Sequence, residues 1–181
     1  MSDQCGGRAD VSRPAIRLPV LVNLDGFYLS FTREPVDLPE PAAVQAFLPP
    51  FDPQNVRFTA SAPESQAMAV LGGGPYSYFR YQTHLAAANG VAVLEQAADE
   101  FNRHFGRRPG ALESYHCEDA EILLYMVGSF ATKAREAVDR LRAAGRKVGL
   151  LRPRLLRPLP ADLIAKAVAG KRAIAVIDQN L

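Results

Sequence analysis

With 181 residues, 48% of them hydrophobic, the chain can bury one core, which excludes wholesale disorder. No run approaches the roughly 20 apolar residues of a membrane span, and Met1–Pro14 lacks the apolar stretch of a secretory signal, so a cytoplasmic protein without a membrane partner is expected. Net charge is only +2, but residues 1–132 carry 9 basic and 15 acidic side chains, whereas residues 133–181 carry 12 basic and 4 acidic ones.

That asymmetry points either to an anionic partner for the C-terminal part or to strand ends and a helix face solvated by arginine. Cys5 and Cys117 are far apart and form no CxxC pair. His84, His104 and His116 have no ligand spacing, so neither a disulfide framework nor a metal site is expected.

In chain order, residues 1–14 are polar and without an apolar period, and are predicted to be disordered. The apolar run Leu18–Leu24 suits a buried strand ending at the turn Asp25-Gly26. Residues 33–80 hold most of the prolines and a triple glycine. They predict an extended, proline-rich arm lying along a neighbour, with one short helix around Ala42–Phe47.

A long helix is expected from Thr83, with Leu94, Ala97, Ala98, Phe101 and Phe105 facing inward and Gly106 as its stop. "GRRPGALESYHCED" reads as a connector in which Arg107 and Arg108 are solvated. "EILLYMV" is a continuous apolar strand of the kind buried on both faces of a parallel sheet. The next helix is expected over Thr132–Ala144, with Ala134, Val138 and Leu141 inward, a Glu136–Arg140 pair outside, and Gly145 as its stop. "KVGLL", "PADLIAKAVAG" and "RAIAVID" then read as strand, helix and strand. The expected fold class is therefore α/β, a three-layer βαβαβ domain with a parallel sheet and right-handed crossovers, preceded by the extended arm.

The strings "NLDGFYLS", "FLPP", "FRYQTH", "EDAEILLYMVGS", "REAVDRLRAAGRKVGLLRPRLLRPLP" and "AIAVIDQN" occur in one order. Together they resemble the alpha subunit of the 2-oxoacid:ferredoxin oxidoreductases, most closely the pyruvate type (pyruvate synthase). The resemblance implies the end of the pyrimidine-binding domain and its linker over residues 15–82. Over residues 83–181 it implies core domain II, which is similar to the C-terminal domain of transketolases.

It further implies a complex that decarboxylates a 2-oxoacid on thiamine diphosphate, passes electrons through iron–sulfur clusters to ferredoxin and hands the acyl group to coenzyme A. The partners would be the other subunits of that complex. The family's thiamine-activating glutamate and substrate-carboxylate arginine lie in an N-terminal part this chain lacks. The expected role is therefore structural, with no catalytic residue and no cofactor bound by this chain alone. Phe31 stands where the family usually has histidine after "DGFYLS".

Two constellations carry binding chemistry. Gly128, Ser129 and Thr132 form the turn between the apolar strand and its helix, where free backbone N–H groups and the helix dipole favour an anion. Ser129 or Thr132 as a simple helix cap is the alternative. Arg152 and Arg154 flank Pro153 on an extended segment, so they point the same way and can clamp a phosphate or carboxylate of a ligand, or an acidic residue of a partner. Asp25, Gly26, Phe27 and Arg157 are expected at a domain or subunit interface. His116 and Cys117 are adjacent and face opposite ways, which argues against a nucleophile pair. Tyr76, Tyr78, Phe79 and Tyr81 fit core packing or a subunit contact better than base stacking, and no nucleic-acid partner is expected. Two further readings stay open: a stand-alone anion- or nucleotide-binding (coenzyme A-like) module, and a non-catalytic fragment that self-associates into a homo-oligomer through the arm.

Overall fold

A computed structural model describes residues 16, 18–26, 28–33, 35–48, 59–63 and 73–178. The predicted disorder of residues 1–14 and the predicted contact of Phe27 lie outside these residues. Among the described residues the elements are α1 (Tyr28–Phe31), α2 (Pro41–Phe47), α3 (Gly73–Phe105), β1 (Leu112–Tyr115), β2 (Ile122–Met126), α4 (Phe130–Ala143), β3 (Val148–Pro153), α5 (Ala161–Val168) and β4 (Ala173–Ile177).

The strands pair in the order β1-β3-β2-β4. β2 runs parallel to both β3 and β4, and β1 closes the far edge antiparallel to β3. The chain steps from β2 to β3 in one direction and from β3 back past β2 to β4 in the other. Right-handed crossovers of opposite direction put their helices on opposite faces of the sheet. The side chains obey this. On one face Ala131, Ala134 and Val138 of α4 bury against Val148 and Leu150, with Ile122, Leu124 and Met126 packed alongside. On the other, Leu123 and Leu151 join Cys117 and Ala120 beneath Ala167 and Val168 of the α5 region. The expected three-layer α/β domain and its parallel βαβαβ unit are therefore present.

Glycine ends the helices as the sequence suggests. Gly106 and Gly145 take φ of +67° and +77°, conformations a Cβ disfavours. Glu136 and Arg140 pair at 2.9 Å across one turn of α4. Phe47 of α2 sets its ring edge-on to Phe101 and Phe105, at centroid distances of 5.4 and 5.6 Å, and so docks the short helix on α3.

Five expectations need correction. Residues 18–24 form no strand: Leu21 is 95% exposed, and Val22 and Leu24 are exposed too. An apolar run becomes a strand only where another strand accepts its hydrogen bonds, and Pro19 withholds one donor besides. Helix α3 starts ten residues before Thr83, at Gly73, because Pro75 falls in its first turn, where a missing N–H costs nothing. The sheet is mixed, because the supposed connector contains β1, whose register pairs Leu112 with Pro153 and Tyr115 with Leu150. Helix α4 begins at Phe130, and Leu141 is 39% exposed and so not a core residue. Arg108 is not merely solvated. It donates to Asp99 at 2.6 Å and Glu95 at 2.7 Å, while Glu95 accepts the Ala111 N–H at 2.6 Å, which latches the end of α3 to the start of β1.

Candidate functional site

β2 and β3 are parallel, with Tyr125 opposite Leu151 as their last registered pair, so the turn after β2 and the arginine segment ending β3 leave the sheet at the same carboxyl edge. The crossover leaving β2 and the one leaving β3 run in opposite directions, so their loops leave this edge toward opposite faces of the sheet. That makes this edge the switch point at which open α/β sheets form a ligand crevice.

On the β2 side, Gly128 has φ of +78°, and a Cβ built on it would meet nothing within 4 Å. Its glycine therefore serves the left-handed turn and not a close approach. Ser129 occupies the N-cap position of α4, but its side chain makes no capping bond to the helix. Instead its hydroxyl donates to Asp25 Oδ2 in a short hydrogen bond. The Thr132 N–H reaches the Ser129 carbonyl at 3.0 Å. The Asp25-Gly26 turn thus lies against the start of α4, placing an intrachain carboxylate near the partial positive charge of the helix terminus.

On the β3 side, Arg152 and Arg154 do point the same way. Both face Glu113 of β1, whose Cα pairs with that of Arg152. Arg154 Nη2 donates to Glu113 Oε2 at 2.5 Å, and Arg135 of α4 donates to Oε1 in a shorter bond. Arg152 Nη1 lies 3.7 Å from Oε2, beyond hydrogen-bonding distance. Glu113 keeps only 13% side-chain exposure. Burial pushes its carboxyl up, but the Arg135 hydrogen bond and the nearby guanidinium charges outweigh burial and hold it below the usual carboxylate range. Arg135 also stacks over Tyr115 with its guanidinium carbon 5.1 Å from the ring centre, and the Tyr115 hydroxyl donates to Asp139 at 2.9 Å.

Each half of the candidate anion site therefore faces a carboxylate of this same chain, Asp25 on one side and Glu113 on the other. Glu113 and Arg135 were missed from the sequence. Arg157 is exposed and forms no ion pair among the described residues. Cys117 is buried, its thiol donating to the Leu150 carbonyl at 3.2 Å, and burial raises it above the usual thiol range. It is a packing residue, not a nucleophile. His116 sits 3.7 Å from Asp139 and takes a φ of +50°. Among the described residues no three His, Cys, Asp or Glu side chains converge as a metal site, and no helix is long and apolar enough to cross a membrane. Cys117 by itself does not fit an iron–sulfur cluster.

A doubly wound α/β domain with a basic carboxyl edge is the class that fold and geometry define. Residues 120–181 match the family model of pyruvate:ferredoxin oxidoreductase core domain II. Over 92% of its length the chain is 42% identical to a protein named pyruvate synthase subunit PorA from Methanothermobacter thermautotrophicus, of which it covers 43%. The same-named subunit of Methanosarcina barkeri is 36% identical over 92% of this chain and 41% of that protein. The chain is similar to these pyruvate synthase subunits along most of its length, and residues 120–181 are the part that matches core domain II. It spans less than half the length of these relatives. A solved 2-oxoglutarate:ferredoxin oxidoreductase from Magnetococcus marinus is similar at 21% identity and a TM-score of 0.45, covering 66% of this chain and 18% of that one.

Proposed function

We propose that this chain is a component of a thiamine-diphosphate-dependent 2-oxoacid:ferredoxin oxidoreductase acting on pyruvate, with a structural role in assembling the complex. Residues 15–82 would be the end of the pyrimidine-binding domain and its linker, and residues 83–181 core domain II, with the likeness to the transketolase C-terminal domain that the resemblance implies. The observation that carries this reading is the 42% identity to a pyruvate synthase subunit across 92% of the chain. The surface supports it. Leu21, Val22, Leu24, Phe31, Leu38, Tyr78 and Val176 are each at least 60% exposed, apolar side chains that a neighbouring domain or subunit would cover. On this reading the catalytic groups would come from partner subunits.

Thiamine diphosphate, the iron–sulfur clusters and coenzyme A belong, on this reading, to the assembled enzyme and not to this chain alone. Its place would be the cytoplasm. Asp25, Gly26, Phe27 and Arg157 would lie at the contacts with neighbouring domains or subunits.

The test is native mass determination of the chain purified gently from its source, with identification of whatever accompanies it. Co-purification with thiamine-binding and iron–sulfur subunits, and reduction of ferredoxin by the complex on adding pyruvate, is the expected result. A chain recovered alone, or only as a homo-oligomer, would overturn the proposal.

A further inference from the structure

Arg152 stands apart within its cluster. Arg135 and Arg154 hold both oxygens of Glu113 by direct hydrogen bonds, while the Arg152 guanidinium reaches that carboxylate only at 3.7 Å. It makes no hydrogen bond to the described residues, although its side chain is only 23% exposed. No buried side-chain nitrogen or oxygen among the described residues lacks a partner, so the Arg152 donors still reach solvent. Three guanidiniums around one carboxylate leave two positive charges in surplus, and the neighbouring Asp139 is engaged by Tyr115 and His116. The cost shows on Arg152 itself. Burial, partly offset by Glu113, and then the like charges of Arg154 and Arg135 together make it easier to deprotonate than an ordinary arginine. Pro153 and the β1–β3 register hold its backbone in this setting. A half-buried, charged residue with no hydrogen bond to the described residues leaves its donors to water or to a ligand.

We infer that Arg152, with Arg154 and Arg135 beside it, binds the phosphate of a small phosphorylated ligand at the carboxyl edge of the sheet, Glu113 serving as the internal strut that orients the guanidiniums. The dianionic charge of a phosphate matches the surplus, and its oxygens suit guanidinium forks. The site goes beyond an assembly role and does not depend on it.

The test is calorimetric titration of the full chain with inorganic phosphate, adenosine 5′-monophosphate and acetate at low ionic strength, together with thermal unfolding of Arg152→Met and Arg152→Lys. Phosphate and the nucleotide are expected to bind and acetate not to. The methionine variant should weaken phosphate binding at least about tenfold and the lysine variant by less, since a point charge replaces a fork. Arg152→Met should unfold at the same or a higher temperature, because it relieves repulsion. Tighter binding of the nucleotide than of phosphate would identify a phosphate ester as the natural ligand, and equal binding would identify free phosphate. Three outcomes would each overturn the inference: no heat with phosphate, equal binding of acetate, or a methionine variant that binds normally but melts lower. The last would make Arg152 a stability residue only.

Discussion

Gly149→Val is expected to cost about 3 kcal/mol or more, the upper end of what overpacking a core costs. The order β1-β3-β2 obliges the link from Tyr115 to Ile122 to cross the face of β3, and it crosses at Gly149. A Cβ there would sit 2.6 Å from the His116 carbonyl oxygen and 3.0 Å from Cys117 Cα. Those are backbone atoms, which cannot swing aside as a side-chain tip can. The crossing segment carries the left-handed His116 and places Cys117 and Ala120 in the core over Leu123 and Leu151, so displacing it loosens one face of the sheet. Urea unfolding of the variant beside Gly74→Ala, whose added methyl meets nothing within 4 Å, checks the expectation. Equal stabilities would refute it.

Glu113→Gln is expected to destabilise by about 1–3 kcal/mol at neutral pH, less than the full cost of breaking a buried ion pair because the arginines keep contact with water. The substitution leaves Arg135, Arg152 and Arg154 together without the charge that joins β1, β3 and α4. The pH dependence has a definite sign. The folded Glu113 carboxyl lies below its ordinary value of 4.5, so it binds a proton less readily than in the unfolded chain. Its contribution is complete above that ordinary value and is lost as pH falls through the lowered folded value. The stability gap between wild type and Glu113→Gln, measured in urea at pH 7 and again near pH 3, should shrink at the lower pH. A gap that stays constant would show that the carboxylate's charge is not what the cluster needs. High salt should narrow the gap at pH 7 as well, by screening the partly exposed pairs.

The two sites differ in how far residue order revealed them. Arg152 and Arg154 could be paired in advance because alternate residues of an extended segment share a side. Their anion could not, since Glu113 lies about forty residues away, on a four-residue strand too short and too polar to stand out from a connector. Ser129 was legible as a helix start, but its hydroxyl partner Asp25 is 104 residues distant. Gly149 did carry a signal that can be learned from: a lone glycine inside an apolar strand marks a close backbone approach.

By itself the sequence determined what depends on near neighbours along the chain. The apolar runs of β2, β3 and β4, the inward Ala134 and Val138 of α4, and the glycine stops at Gly106 and Gly145 all follow from local period and backbone freedom. The ordered motifs that relate the chain to oxidoreductase subunits are also local strings. Only the tertiary structure decided what depends on pairing: that Leu18–Leu24 joins no strand among the described residues, that Leu112–Tyr115 does, and that two intrachain carboxylates face the basic edge. Hydrogen-bond partners and ion pairs across a sheet are chosen by register and topology, and those arise only when distant segments are brought side by side.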